Sequence, residues 1–312
     1  MDVLRLTLRQ LQIFVAVARH GSTTAAGAEI ALSQSATSSA VNELERLLSL
    51  QLFDRAGKRL LLNENGRALL PRALALLDAA IGVEHFAREG SDQMQSLRIG
   101  ASTTIGNYLL PGLLGKFLGE GHRRETTDWK SSVAIGNTAA ICESVAAFEL
   151  DVGLIEGPCH ETALQVTPWL HDELLIVGAP DSAFAGPACT AQEPVSLATL
   201  RESMWLLRES GSGTREATDQ ALLPHLHAYR RSIELGSSEA IMRAAAEGLG
   251  VACLSRWVVE DFIAAGRLCP VRTTLPTMMR QCHVVIHRDK QMTPVLRQFM
   301  AQLLPDTDSA DT

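Results

Sequence analysis

Along residues 7–62 the apolar positions recur at helical spacing in short runs broken by tight turns. In LRQLQIFVAVARHGS, Leu8, Leu11, Phe14, Val15 and Ala18 form one stripe, and Gly21 ends it. Ser22 is placed to cap a second short helix, TTAAGAEIA. Ser33 is placed to cap a third, and Ala36 three residues on leaves only half of a capping box. Turning that third segment, SQSATSSAVNELERLL, by about 100° per residue puts Ala36, Ala40, Val41, Leu44, Leu47 and Leu48 on one face. Gln34, Ser35, Ser38, Ser39, Asn42, Glu45 and Arg46 fall on the other. That outer face begins short, uncharged and rich in donors and acceptors, where a solvated face usually carries Lys and Glu in i,i+4 pairs. Small polar groups let a helix backbone approach a partner closely, as a helix reading the DNA major groove must. An ordinary exposed helix is the other reading of these residues taken alone.

Helix, short helix, turn and helix is the helix-turn-helix pattern. After it, QLFDRAGKRLLLN sets Ala-Gly-Lys-Arg between two apolar runs and predicts a β-hairpin with a basic tip, a wing carrying Arg55, Lys58 and Arg59. Glu64 to about Arg88 reads as one long helix with Leu69, Leu70, Ala73, Leu76, Leu77, Ala80 and Ile81 on its apolar side. It either packs on its own domain or links two chains as a coiled-coil dimer, and its length favours the linker. From residue 96 onward the pattern changes. LRIGAS, SSVAIG, DVGLIEG, ELLIVGA, MWLLRES, GVACLS and QCHVVIH are apolar strands separated by helical stretches such as ICESVAAFEL. Alternating strands and helices over this length predict α/β architecture with mostly parallel strands in two sheets. The expected organisation is a winged helix-turn-helix in 1–62, a linker helix in 63–90 and an effector-binding domain in 91–304. Its lobe I covers about 91–168 and 269–304, its lobe II about 169–268, and a disordered tail fills 305–312.

Composition adjusts this picture in three places. At 4% aromatics the chain is poorly equipped to stack on single-stranded bases. The net charge of −7 looks wrong for a nucleic-acid binder, yet residues 1–62 carry seven basic against five acidic residues, while 91–312 carry 18 against 26. Locally clustered basic groups suffice, because phosphate contacts are short-range under salt screening. The six cysteines, Cys142, Cys159, Cys189, Cys253, Cys269 and Cys282, are scattered without a C-x-x-C pair and read as reduced, mostly buried thiols. With an amphipathic N-terminus unlike a secretory signal and no apolar run of about 18 residues, the expectation is a cytoplasmic protein without membrane contact.

Over essentially its whole length the chain resembles the LysR-type transcriptional regulators. The resemblance is carried by LRQLQIFVAVARHGSTTAAGAEIALSQSATSSAVNELERLLSLQLFDR and LLNENGRALLP, then by GASTTIGNYLLP, FELDVGLIEGP, RESGSGTR and GSSEAIMRAAAEGLGVACLS. It implies that Ser33 to Leu48 is a recognition helix. Gln34, Ser35, Ser38 and Asn42 are then expected to face the major groove, Ser22, Thr24 and Ser33 to join the interface at the helix starts, and Arg55, Lys58 and Arg59 to contact phosphates. It further implies a homo-oligomer, dimer or tetramer, on an interrupted palindrome of double-stranded DNA, with RNA polymerase as a further partner. It also implies a two-lobed domain like type 2 periplasmic binding proteins. Two departures stand out: the family often has Pro where this chain has Ser35, and frequently Arg where it has Ser39. Without that Arg a strong phosphate or guanine contact is missing, so no target sequence carries over.

Parallel sheets bind ligands beyond the carboxyl ends of their strands. There the chain places Ser102, Thr103 and Thr104, then Asn137 and Thr138, then Ser210, Ser212 and Thr214, each set entering a helix. Hydroxyls beside free N–H groups suit a small anion, although each set alone reads equally as ordinary N-caps. No Lys lies in these loops, so the expected site neutralises its anion without a buried full positive charge; Arg208 and Arg215 flank it as possible additions. The segment GASTTIGNYLLP is similar to regulators of sulfur assimilation and carbon fixation, which implies an inorganic sulfur anion or a phosphorylated metabolite ahead of an aromatic carboxylate. SGSGT lacks the ending of a P-loop, and no H-E-x-x-H or G-x-G-x-x-G after a strand occurs. His283 and His287, and His225 with His227, read as surface or core histidines. No catalytic set, metal or cofactor is expected, and an enzyme or a solute-binding protein without DNA contact is the alternative.

Overall fold

The computed structural model describes residues 5–57, 59–88, 95–121, 129–180 and 194–304. Residues 1–93, with 289–291, form one compact unit and the remaining residues a second.

The first unit starts at a capping box. The Thr7 side chain accepts from Gln10 N and the Gln10 side chain accepts from Thr7 N, launching α1 (Leu8–His20). Gly21, left-handed at φ 62°, closes that helix as the pattern predicts. Helix α2 (Thr23–Glu29) is capped by Ser22 and α3 (Gln34–Leu48) by Ser33. The α2–α3 turn is tight because Gly27 lies against it, where a Cβ would collide with Leu32 O. Leu11, Phe14, Val17, Val41, Leu44, Leu52 and Phe53 make the core. Two positions on α3 differ from the pattern: Ala36 is exposed and Thr37 is fully buried. Thr37 tolerates burial because its hydroxyl donates to Ser33 O at 3.0 Å. Strands β1 (Phe53–Ala56) and β2 (Arg59–Leu62) pair antiparallel as the expected wing. Helix α4 (Glu64–Arg88) follows, with Asn63 accepting from Gly66 N. Its Ala73 is buried and Leu69, Leu70, Leu74 and Leu77 pack on the same core, so the first half of the helix belongs to its own unit. Further along, Leu76, Ile81 and Val83 are exposed.

In the second unit, β3 (Gln95–Ser102) lies between β4 (Trp129–Gly136) and β5 (Val152–Glu156), all parallel. Helices α5 (Thr103–Tyr108), α6 (Leu110–Gly121) and α7 (Thr138–Ala146) connect them. A long strand β6 (Leu164–Gly178) then leads to α8 (Leu197–Glu202), β7 (Met204–Arg208), α9 (Gly213–Leu226), β8 (Arg231–Leu235), α10 (Ser238–Ala246), β9 (Val251–Ser255) and α11 (Arg256–Ala264). There β7 is flanked in parallel by β8 and β9. The chain returns through β10 (Cys269–Pro270) and β11 (Met278–His287) to α12 (Pro294–Leu303). The pattern predicts two sheets, but the two parallel groups belong to one. β6 and β11 pair antiparallel with each other and with both groups, making one nine-stranded array of order β4-β3-β5-β11-β6-β9-β7-β8, with β10 on β6. The pattern recognises only the apolar ends of β6 and β11; their middles alternate exposed and buried positions around Pro168, His171 and Arg280. Strand β8 goes unread as well, because an edge strand with exposed Arg231, Ser232, Ile233 and Glu234 carries no apolar run. One core joins β3, β5 and β11 to α12, with Phe117 and Phe299 edge to face at 5.2 Å. Another gathers around Trp205.

Cysteines depart from expectation at one point. Cys142, Cys253 and Cys282 are buried free thiols and Cys159 is a half-buried one, but Cys269 is disulfide-bonded. Scattered spacing holds no information about which thiols the fold brings together.

Candidate functional site

The first candidate surface lies on α3 and the wing. Gln34, Ser35, Ser39 and Asn42 are exposed and Ser38 half-buried. Ser33 Oγ accepts from Ala36 N at 3.2 Å and lies 3.1 Å from Ser35 Oγ. Gln34 Nε2 donates to Thr23 Oγ1 at 3.2 Å, bridging the two helix starts, and Thr24 beside it is exposed. Ser22 Oγ is engaged as a cap by Ala25 N. A groove lined by Thr23, Ser38, Asn42, Glu45, Asp54 and Arg55 runs between α3 and the wing. Glu45, which spacing puts on the outer face, instead ties the turn into the wing by accepting from Leu52 N at 2.7 Å. Arg55 and Arg59 are exposed on the two wing strands; Lys58 lies outside the described residues.

The second candidate lies where the loops after β3, β4, β5 and β7 meet. Of the expected residues, Ser102, Thr104, Thr138 and Thr214 come together, around a glutamate of the protein itself. Glu156, at the end of β5, is fully buried. Its Oε1 accepts from Ser102 Oγ at 2.9 Å, Thr104 N at 2.8 Å and Ile105 N at 3.2 Å. Its Oε2 accepts from Thr214 Oγ1 at 3.0 Å and from the Arg280 guanidinium at 2.9 Å. Arg280 in turn donates through Nε to Asp172 at 2.7 Å, and Ser255 Oγ donates to the same carboxylate at 2.9 Å. Thr138 Oγ1 donates to Glu156 O at 3.0 Å and accepts from Gly213 N. Gly213 has to be glycine, since a Cβ would collide with Glu156 O. Burial alone would raise the Glu156 carboxyl, but Arg280 and the hydroxyl and amide donors outweigh it and hold it below its ordinary value. The group is therefore ionised at neutral pH.

This corrects the expectation that the site lacks a buried full positive charge: Arg280 supplies one, paired with two buried carboxylates. Ser102 and Thr214 are committed to Glu156, and Ser212 caps α9 through Arg215 N at 3.4 Å. Ser210 is exposed. Arg215 is a structural residue, bound to Asp219 at 2.8 Å and donating to Arg208 O at 2.9 Å.

Beside this cluster lies a second cation, Arg208, whose side chain is 2% exposed. It donates to Ser238 Oγ at 2.9 Å, to Thr103 Oγ1 at 3.4 Å and to Glu209 at 2.8 Å through both Nε and Nη2. Glu209 is 25% exposed and also accepts from Asn137 Nδ2 at 3.4 Å. Thr104 Oγ1 is buried without a hydrogen-bond partner among the described residues. Glu156, Asp172, Arg280, Glu209 and Ser238 are all absent from the sequence reading. The available signal was a charged residue inside or at the end of an apolar strand run, in DVGLIEG, LHDELLIVG and MMRQCH.

Elsewhere His283 Nδ1 lies 3.0 Å from Gly157 O and burial lowers its pKa, while His287 packs on Phe148 with ring centroids 4.1 Å apart. His225 and His227 are exposed. Among the described residues no group of three or more His, Cys, Asp or Glu is arranged to hold a metal, and no helix is long and apolar enough to cross a membrane.

Comparison with known proteins assigns both regions. Residues 8–67 match the bacterial regulatory helix-turn-helix protein, lysR family, and residues 90–307 match the LysR substrate binding domain. The chain is 45% identical over 297 residues to the uncharacterized HTH-type transcriptional regulator YeiE of Escherichia coli K12, covering 95% of this chain and 97% of that one. A full-length OxyR variant from Pseudomonas aeruginosa superposes with a TM-score of 0.68 at 22% identity over 97% of this chain and 96% of its own. The Synechocystis CcmR regulatory domain in complex with 2-PG superposes with a TM-score of 0.59 at 26% identity, covering 70% of this chain and 99% of that domain.

Proposed function

The chain belongs to the LysR family of transcriptional regulators, and from that membership we propose that its effector is a small oxyanion held between the two lobes at Arg208. It is a DNA-binding regulator whose activity is controlled by a small molecule bound to its C-terminal domain. The observation carrying the oxyanion is the state of Arg208. A guanidinium almost wholly out of water faces Thr103 and Ser238, and its only carboxylate partner among the described residues, Glu209, is a quarter exposed on a loop. An incoming oxyanion exchanges with Glu209 and keeps the charge pair, adding Asn137 and the unpartnered hydroxyl of Thr104 as donors. The 2-PG complex of the CcmR domain supports an anionic ligand on this fold. Differential affinity for one of two arrangements of the lobes would then shift their populations and, with them, DNA binding.

On the DNA side the reading assigns base contacts to Gln34, Ser35, Ser38 and Asn42 and phosphate contacts to Arg55, Lys58 and Arg59. Ser22, Thr24 and Ser33 lie along the same edge. The exposed Leu76, Ile81 and Val83 on α4 support a homodimer through that helix, reading an interrupted palindrome and assembling further into a tetramer. In this reading the protein acts in the cytoplasm with RNA polymerase, by binding and not by turnover. Thermal-shift titration with sulfite, sulfate, phosphorylated sugars and aromatic acids tests the effector. Oxyanions should stabilise the wild type, and Thr103→Val or Ser238→Ala should weaken binding about tenfold. An equal response in both variants, or stabilisation by neutral or cationic compounds alone, would remove the assignment.

A further inference from the structure

Glu156 has five donors, and they come from both lobes. Ser102, Thr104 and Ile105 stand on the β3–α5 side, Thr214 stands on α9 across the cleft, and Arg280 stands on β11, one of the two strands common to both lobes. Both oxygens are used, and every donating side chain is itself at most 4% exposed. This is how a protein holds a bound carboxylate, with the difference that the carboxylate is tethered to β5. Arg280 is already paired with the Glu156 and Asp172 carboxyls, so a second anion on the same donors would find no uncompensated positive charge.

We propose that Glu156 is a built-in ligand: it closes the lobes in the effector-free protein and confines an effector anion to the neighbouring Arg208 subsite. The second half of this statement rests on the oxyanion reading given above; the first half does not. Tethering gives the Glu156 carboxylate a high effective concentration, so free carboxylates do not displace it. Removing it empties a cradle of five donors that a free carboxylate of the same size fits.

The test uses the full-length chain with Glu156→Ala and Glu156→Gln, and acetate as the probe. Glu156→Ala should melt lower than wild type, and acetate at tens of millimolar should raise its Tm by about 2–4 °C over equal chloride. Wild type and Glu156→Gln should show no such rise. Hydrogen exchange at the Thr104 and Ile105 amides should accelerate at least about tenfold in Glu156→Ala and return on adding acetate. Exchange at Val41 in the other unit should stay unchanged. An acetate shift equal in wild type and Glu156→Ala, or unaltered exchange at Thr104 and Ile105, would overturn the proposal. If Glu156→Ala does not fold, Glu156→Asp, whose carboxylate is one methylene short of the cradle, decides through the same two amides: faster exchange supports the proposal and wild-type exchange overturns it. Sulfite and sulfate titration of wild type against Thr103→Val reads the Arg208 subsite separately, so either reading can fail while the other stands.

Discussion

At the start of α3, Gln34, Ser35, Ser39 and Asn42 face solvent, and of the hydroxyls there only Ser33 is taken up as a helix cap. At the starts of α5 and α9, Ser102, Thr104 and Thr214 are buried, and Ser102 and Thr214 donate to one carboxylate. The two regions use the same residue types at the same position in a helix. They differ in what the fold brings within reach. α3 has a capping serine and an open outer face, so its outer polar groups stay exposed, and Gln34 and Ser35 make only local, exposed hydrogen bonds. α5 and α9 meet across a seam, where groups removed from water must find a partner inside the protein. Glu156 is that partner. Polar helix starts thus mark places where binding chemistry is available, and burial decides whether an external partner or an internal one uses it.

The contrast is broken hardest at Arg280. Replacing it by Ala leaves the Glu156 and Asp172 carboxyls buried side by side without their counter-ion. The expected loss is about 3–5 kcal/mol in chemical denaturation of the C-terminal unit, with the N-terminal unit unaffected. A loss below about 1 kcal/mol would mean that the cluster is hydrated and the seam is not the closed environment described. Glu156→Gln should come next, at about 1–3 kcal/mol, because the donors keep a neutral acceptor of the same shape. Its pH dependence has a definite sign. The folded Glu156 carboxyl lies below its ordinary 4.5, so its contribution is fully present above that value and is lost as pH falls through the folded pKa. The Tm gap between wild type and Glu156→Gln should therefore be constant at neutral pH and shrink below about pH 4.5. A gap that widens in acid would contradict the assignment of an ionised Glu156.

Much of this was legible in the chain. The periodicity of Leu11, Phe14, Val41 and Leu44 gives the helices of the N-terminal unit, and Gly21, Ser22 and Ser33 give their ends, because these signals act within a few residues. The apolar strands around Ile99, Leu154 and Leu206 give the α/β class for the same reason. The Glu156–Arg280–Asp172 cluster was not legible. Arg280 lies 124 residues from Glu156 and 108 from Asp172, and nothing local in MMRQCH reports a partner that distant. A lone charge at the end of a strand run looks like the beginning of a loop. The union of the two parallel groups was hidden likewise, since β6 and β11 pair antiparallel through segments that alternate rather than run apolar.

On the open side of the comparison, Ser38→Ala should lower discrimination between target and random DNA by about 1–3 kcal/mol if its hydroxyl reads a base edge. Ser38 lines the groove beside Asn42 and Arg55, and the substitution leaves the α3 cap at Ser33 untouched. Competition binding with specific and random duplexes measures it. Unchanged discrimination with a full effect at Ser39 would rotate the reading face by one position.

The smallest effect is expected at Arg59. It is exposed on β2 of the wing, where the hairpin register sets it opposite Ala56. In the reading proposed above, a guanidinium so placed contributes a phosphate contact and no base information. Arg59→Ala should therefore weaken specific and random DNA alike and reduce the slope of log affinity against log salt by about one. Protein stability should change by less than about 0.5 kcal/mol, as usual for a surface substitution. The salt titration distinguishes the wing from the recognition helix directly: Ser38→Ala changes specificity at constant slope, and Arg59→Ala changes slope at constant specificity. If Arg59→Ala instead altered discrimination and left the slope intact, the wing would be reading sequence, and the division of labour between hairpin and helix would have to be reversed.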